Sequence, residues 1–193
     1  MDGTFLEGLK LVPYIEEKLK EFSLYMDSHR ILVFYYKIAS LYFGTANYSK
    51  AIDYLNKILN WKLLDLRNDI QAYARLLHLI AHYELGNEDI LEHLIKSVYR
   101  FMAKMENLST IEVEIFKFIR NSFHLDSKQL KPAFAELLEK IKGLEKSPHE
   151  MRALSYLDII SWLESKVDDK SVDKIIREKY LGSSKSLHNS LNP

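Results

Sequence analysis

The chain contains no cysteine. That absence excludes disulfides, zinc–thiolate sites and thiol catalysis, and it fits a reducing compartment. Only six of its 193 residues are Gly and four are Pro. A β-sandwich or barrel needs more turn residues than that, whereas long helices joined by short links do not. An excess of either charge is also missing, since Lys plus Arg and Asp plus Glu each number 27. Nucleic-acid binding draws most of its affinity from cations meeting phosphates, so this balance points away from a nucleic-acid partner. The N-terminal stretch MDGTFLEGLKLVPYIEEKLKEF lacks the basic start and unbroken apolar run of a signal peptide, and every apolar run is too short to span a membrane. The expectation is a soluble cytoplasmic protein.

What the chain has is apolar surface, 47% of residues being hydrophobic and 12% aromatic, spaced for helices nearly throughout. Ile31, Phe34, Tyr35, Ile38, Leu41 and Tyr42 recur at steps of three and four, and Tyr48, Ala51, Ile52, Leu55, Ile58 and Leu59 repeat the pattern. Between the two sets, Gly44 supplies a helix stop and Asn47 a cap. So short a link makes the pair antiparallel.

A second pair follows. Its first helix, capped by Asp65, carries Ile70, Tyr73, Leu77, Ile80 and Ala81; Gly86 stops it, and Asn87 caps the helix of Ile90, Leu91, Leu94, Ile95, Val98 and Phe101. Ser109 with Glu112 forms a capping box, and Asp126 or Ser127 opens the next segment, in which Pro132 either kinks the first turn or marks the start. SPHE, Ser147 to Glu150, signals a further start, and Ser171 to Tyr180 a short last helix before a loose polar tail over 181–193. Ahead of the pairs, Phe5 to Leu11 is short, and Pro13 to Met26 reads as a helix on an Ile15, Leu19, Phe22 stripe. The second-helix caps fall at Asn47, Asn87 and about Ser127, with Ser171 a little further on. A period near 40 residues implies stacked helix pairs in one domain, 1–180.

On these residues the chain resembles the tetratricopeptide repeat family. Tyr35, Ile38, Ala39 and Tyr42 fill its first-helix pattern, and Tyr48, Ala51, Leu55 and Ile58 its second, best over Leu32 to Asp65. Units at about 66–105, 109–143 and 147–180 keep the helix pairs and the period; the second has His82 where the family prefers Tyr. The chain is also similar to the C-terminal part of longer bacterial tetratricopeptide proteins without an assigned activity. The resemblance implies an all-α, α/α superhelical array of antiparallel helix pairs with a concave groove. By carry-over the groove positions are Val33, Tyr36, Ser40 and Phe43 in the first unit. In the second they are Tyr73, Leu76, Ile80 and Tyr83, with Lys37 and Arg75 close by.

Motifs for chemistry are scarce. His78 and His82 share a helix face, but a zinc site needs a third ligand and HExxH is absent. Adjacent carboxylates such as Glu16 with Glu17 or Asp168 with Asp169 point apart on a helix and make no acid/base dyad. There is neither a phosphate loop nor a GxSxG. The expectation is a non-enzymatic module with no metal or cofactor, holding a protein or peptide. The alternative is a regulatory or oligomerising segment of a larger bacterial protein, in which the stack docks within its own assembly by self-association.

Overall fold

The computed structural model describes residues 4–61, 68–104, 109–144 and 158–191, with side chains described for all of these except 68 and 184–191. The described residues form helices and turns without a strand. The helices are α1 (Phe5–Lys10), α2 (Val12–Glu21), α3 (Ser28–Gly44), α4 (Tyr48–Leu59), α5 (Asn68–Glu84) and α6 (Glu88–Lys104). They continue with α7 (Thr110–Ser122), α8 (Ser127–Leu144), α9 (Ile159–Val167) and α10 (Val172–Leu191). The second helices α4, α6, α8 and α10 open at Tyr48, Glu88, Ser127 and Val172, close to the expected period. The Asp65 cap and the Ser147–Glu150 start lie outside the described residues.

Local signals place the ends. Asp27 accepts from the His29 amide, Asn47 from Lys50 and Asp158 from Ser161, each satisfying an orphan helix donor. Ser109 and Glu112 form both halves of the capping box. Gly86 takes φ 68° after α5, a conformation that costs glycine nothing. Gly44 is the last residue of α3, yet the left-handed position in that link falls to Ala46, at φ 59°.

Helix α8 opens at Ser127, one of the expected starts, with Asp126 as its cap, accepting from the Lys128 and Gln129 amides at 2.9 Å; it runs through Pro132, so the alternative start at the proline is not used. Helix α10 continues through Gly182 to Leu191, where a loose tail was expected. Once its first half is anchored by Val172, Ile175 and Ile176, each added residue gains a backbone hydrogen bond without a new nucleation cost.

Packing follows chain order: α3 lies on α4, α4 on α5, α5 on α6, α7 on α8, α8 on α9 and α9 on α10, while α5 also meets α3 and α1 lies on α3. Ala39 and Ala51 are both fully buried in the α3–α4 pair, where small residues let backbones approach. Tyr42 stacks on Tyr54 at 5.6 Å, and Phe43 meets Tyr48 edge-on at 5.3 Å. Replacing Ala51 by Leu is expected to overpack this contact and cost about 1–3 kcal/mol. A chemical melt of the variant reads this directly, and an unchanged midpoint would remove Ala51 from the contact.

The second half is not a simple continuation of the stack. At the end of α5, Tyr83 lies 6.2–6.4 Å from the rings of Phe118, Phe123, Phe134 and Trp162, drawing α7, α8 and α9 onto one point. Its neighbour Glu84 accepts from the Trp162 indole at 2.6 Å and from Lys166, both on α9, and from the Tyr48 hydroxyl on α4. Burial, with Glu84 as acceptor and negative neighbour, holds the Tyr48 phenol above its ordinary range. Helix α9 thus returns to α5, which a strictly neighbour-to-neighbour stack would not do.

Candidate functional site

Helix α3 buries Leu32, Ile38 and Ala39 and leaves Val33, Phe34, Lys37, Ser40 and Leu41 partly or wholly open. Helix α1 lies on this outer stripe, and α2 follows it after a bend at the single linking residue Leu11. Two glycines allow the approach. A Cβ at Gly44 would stand 2.5 Å from the Phe5 ring, and one at Gly8 would stand 2.9 Å from Leu41. Phe5 is itself buried, so α1 is clamped.

Between these N-terminal helices and the stripe a groove of about 530 Å³ remains open. Phe5, Gly8, Leu11 and Ile15 form one wall, Val33, Phe34, Tyr36, Ile38, Ser40 and Leu41 the other; Lys37 and Ile70 of α5 complete it. The lining is chiefly apolar. The Ser40 hydroxyl donates to the Tyr36 carbonyl at 2.9 Å, which leaves the exposed Lys37 ammonium as the charged group of this site. An apolar cleft with few polar groups is the usual form of a binding site.

The expected groove residues do not form one surface. Val33, Tyr36 and Ser40 come together in this cleft. Phe43, Tyr73 and Leu76 are buried, and Tyr36 itself shows little of its ring, so these side chains serve the core first. The reason is that α5 is covered by α3, α4 and α6 at once, and that cover takes the face a free first helix would present. Ile80 is buried as well. Tyr83 sits in the aromatic cluster. Arg75 is half-buried, its guanidinium 4.2 Å over the Phe101 ring, and its Nε finds no hydrogen-bond acceptor among the described residues. Burial pushes its pKa below the ordinary value. The wall formed by α1 and the start of α2 was not legible as part of a site; Gly8 and the Leu11–Ile15 spacing are its sequence traces.

The two histidines form a closed pair. His78 Nε2 and His82 Nε2 are 3.3 Å apart, and the Asn87 amide reaches His82 Nδ1 at 2.8 Å. Burial, then the neighbouring His82 and Arg75, lowers the His78 pKa to about 4; burial lowers His82 as well. At neutral pH both rings are uncharged and one N–H bridges them. Among the described residues no three His, Asp or Glu side chains converge as metal ligands.

A second, more polar recess of about 670 Å³ separates α2 from α3 and α4, lined in part by Glu16, Glu17, Tyr35, Lys57 and Trp61. Of its two lysines, Lys20 and Lys57, the second is engaged within the fold. Lys57 pairs with Glu16 at 3.0 Å and lies 4.2 Å over the Tyr54 ring. No helix among the described residues is long and apolar enough to cross a membrane. No family model, curated protein or solved structure matches this chain.

Proposed function

We propose that this chain is a non-enzymatic scaffold of the tetratricopeptide kind, working in the cytoplasm, that holds one helix of a protein partner in the cleft between its N-terminal helices, α1 and the start of α2, and α3. The repeat character supports this reading in the first half, through the buried Ala39 and Ala51 and the recurring helix pairs. In the second half the stack folds back on itself. The observation that carries the proposal is the open apolar cleft itself, about 530 Å³, with Phe34 and Leu11 exposed at its edge. A helix fits such a cleft with apolar residues at steps of three and four. Lys37 at the edge, and the exposed Arg30 two turns before it on the same helix face, select a partner with carboxylates beside those apolar residues.

A photo-crosslinking phenylalanine analogue at position 34 tests the reading. The expected result is one helical protein captured, at least tenfold less when Lys37→Glu is added, with the melting curve unchanged. Capture that is indifferent to Lys37→Glu, or stronger from an analogue placed at Tyr180, would move the interface elsewhere.

A further inference from the structure

The outward face of α2 carries an apolar stripe that the fold leaves uncovered. Leu11, Tyr14, Phe22 and Tyr25 are 58%, 61%, 45% and 86% exposed. With Lys18 they are spaced by three, four, four and three residues, so all lie within about 40° of Lys18 on a helical wheel. The contacts agree with the wheel. The Lys18 ammonium lies over the Tyr14 ring at 5.8 Å and the Phe22 ring at 5.9 Å. Past Glu21 the chain keeps near-helical bonds, with the Phe22 amide donating to the Lys18 carbonyl and the Met26 amide to the Phe22 carbonyl. The side of α2 that packs, through Val12, Ile15 and Leu19, adjoins this stripe, about 60–120° round the wheel from Lys18.

Size is consistent with a weak interface. Taking about 150–250 Å² for a large side chain, the four residues leave roughly 500 Å² open, toward the upper end of the about 300–600 Å² that the largest apolar patch of a monomer reaches. Two such faces together bury on the order of 1,000 Å², the lower bound for a specific interface and the size of a weak, reversible one.

The spacing identifies the occupant. A two-fold interface requires a patch that maps onto itself, and a 3-4-4-3 stripe does so about its centre. We infer that a second copy of this chain covers the stripe, with the two α2 helices antiparallel and the two-fold axis passing beside Lys18. Tyr14 then meets Phe22 of the second copy, and Leu11 meets its Tyr25. Each Lys18 is already paired with its own Glu21 at 2.6 Å, which offsets the like charges at the axis. It also stands level with Glu17 of the other copy. Leu11 belongs to both this stripe and the cleft beside α3, whereas Tyr14, Lys18 and Phe22 do not line the cleft, so substitutions at positions 14 and 18 test this inference without touching the proposed function.

The lack of cysteine provides a clean test. Because position 18 faces itself across the axis, Lys18→Cys is expected to give a disulfide-linked dimer under mild oxidation at least tenfold faster than a cysteine at the exposed Glu136 on α8. Light scattering of the parent should show a monomer–dimer equilibrium in the micromolar range, shifted at least tenfold toward monomer by Tyr14→Asp. A parent that stays monomeric at all concentrations overturns the inference. So does crosslinking at position 18 no faster than at 136, or cosedimentation of a monomeric parent with phosphatidylserine vesicles, which would assign the stripe to a lipid surface.

Discussion

Replacing Tyr83 by Ala is expected to lower stability by about 3 kcal/mol. The ring stands among Phe118, Phe123, Phe134 and Trp162, four neighbours contributed by three other helices. Its removal loses the transfer energy of an aromatic side chain and opens a cavity that rings on different helices cannot all collapse into. For a chain of this size the melting temperature should fall by roughly 2–4 °C per kcal/mol, hence about 6–12 °C. Tyr83→Phe keeps the ring and loses only the hydroxyl contact with Ser122, so its cost should stay near 1 kcal/mol. Thermal melts of the two variants side by side separate packing from hydrogen bonding. Equal, small losses would mean that the ring stands outside the core and is available to a partner.

Acid should destabilise the fold before its carboxylates protonate. His78 has a pKa near 4 in the fold against an ordinary 6.5, so the unfolded chain takes up a proton that the folded chain refuses. The stability tied to a neutral His78 is therefore fully present above about pH 6.5 and is lost as the pH falls toward 4. At 1.36 kcal/mol per pKa unit the loss approaches about 3 kcal/mol. The groups known to face the ring are His82, itself lowered by burial, the Arg75 cation and, through His82, the Asn87 amide; none of them stabilises a second positive charge. Denaturant midpoints measured from pH 7.5 to 4.5 should fall in the parent and much less in His78→Gln. Parallel curves for the two proteins would show that the imidazole pair is not the group responsible.

How much of this could be read from the residues follows from the range of the forces involved. Asn47, Gly86 and the Ser109–Glu112 box were legible because a cap satisfies donors three or four residues away. The pairing of α3 with α4 was legible because Ala39, Ala51 and a three-residue link leave few other arrangements. The face that α5 presents was not, since α3, α4 and α6 cover it together and no window of sequence contains all three. Tyr73 therefore looked available and is buried, and Tyr83 is taken by rings of α7, α8 and α9 that lie further still along the chain. Phe22 shows the converse. It shares a helical period with Ile15 and Leu19, but it lies where α2 turns away from the core, and periodicity alone cannot give that direction. The α1 clamp had left only two glycines as its trace, and a glycine does not say which ring will lie against it.

The bridge from Glu84 to Trp162 and Lys166 has a consequence for how the molecule would yield under load. In a linear stack each pair holds only its neighbours, so the terminal units can peel away one after another at little cost. Here the penultimate helix is fastened, across some eighty residues of chain, to the end of α5 and through the same carboxylate to Tyr48. Tension applied at the C-terminus would load α10 first, and from α9 onward it would pass directly into the end of α5 in the middle of the molecule. Closing so long a loop is slow in folding. Once closed, it ties the release of α9 to the loosening of α5, so these two helices resist together.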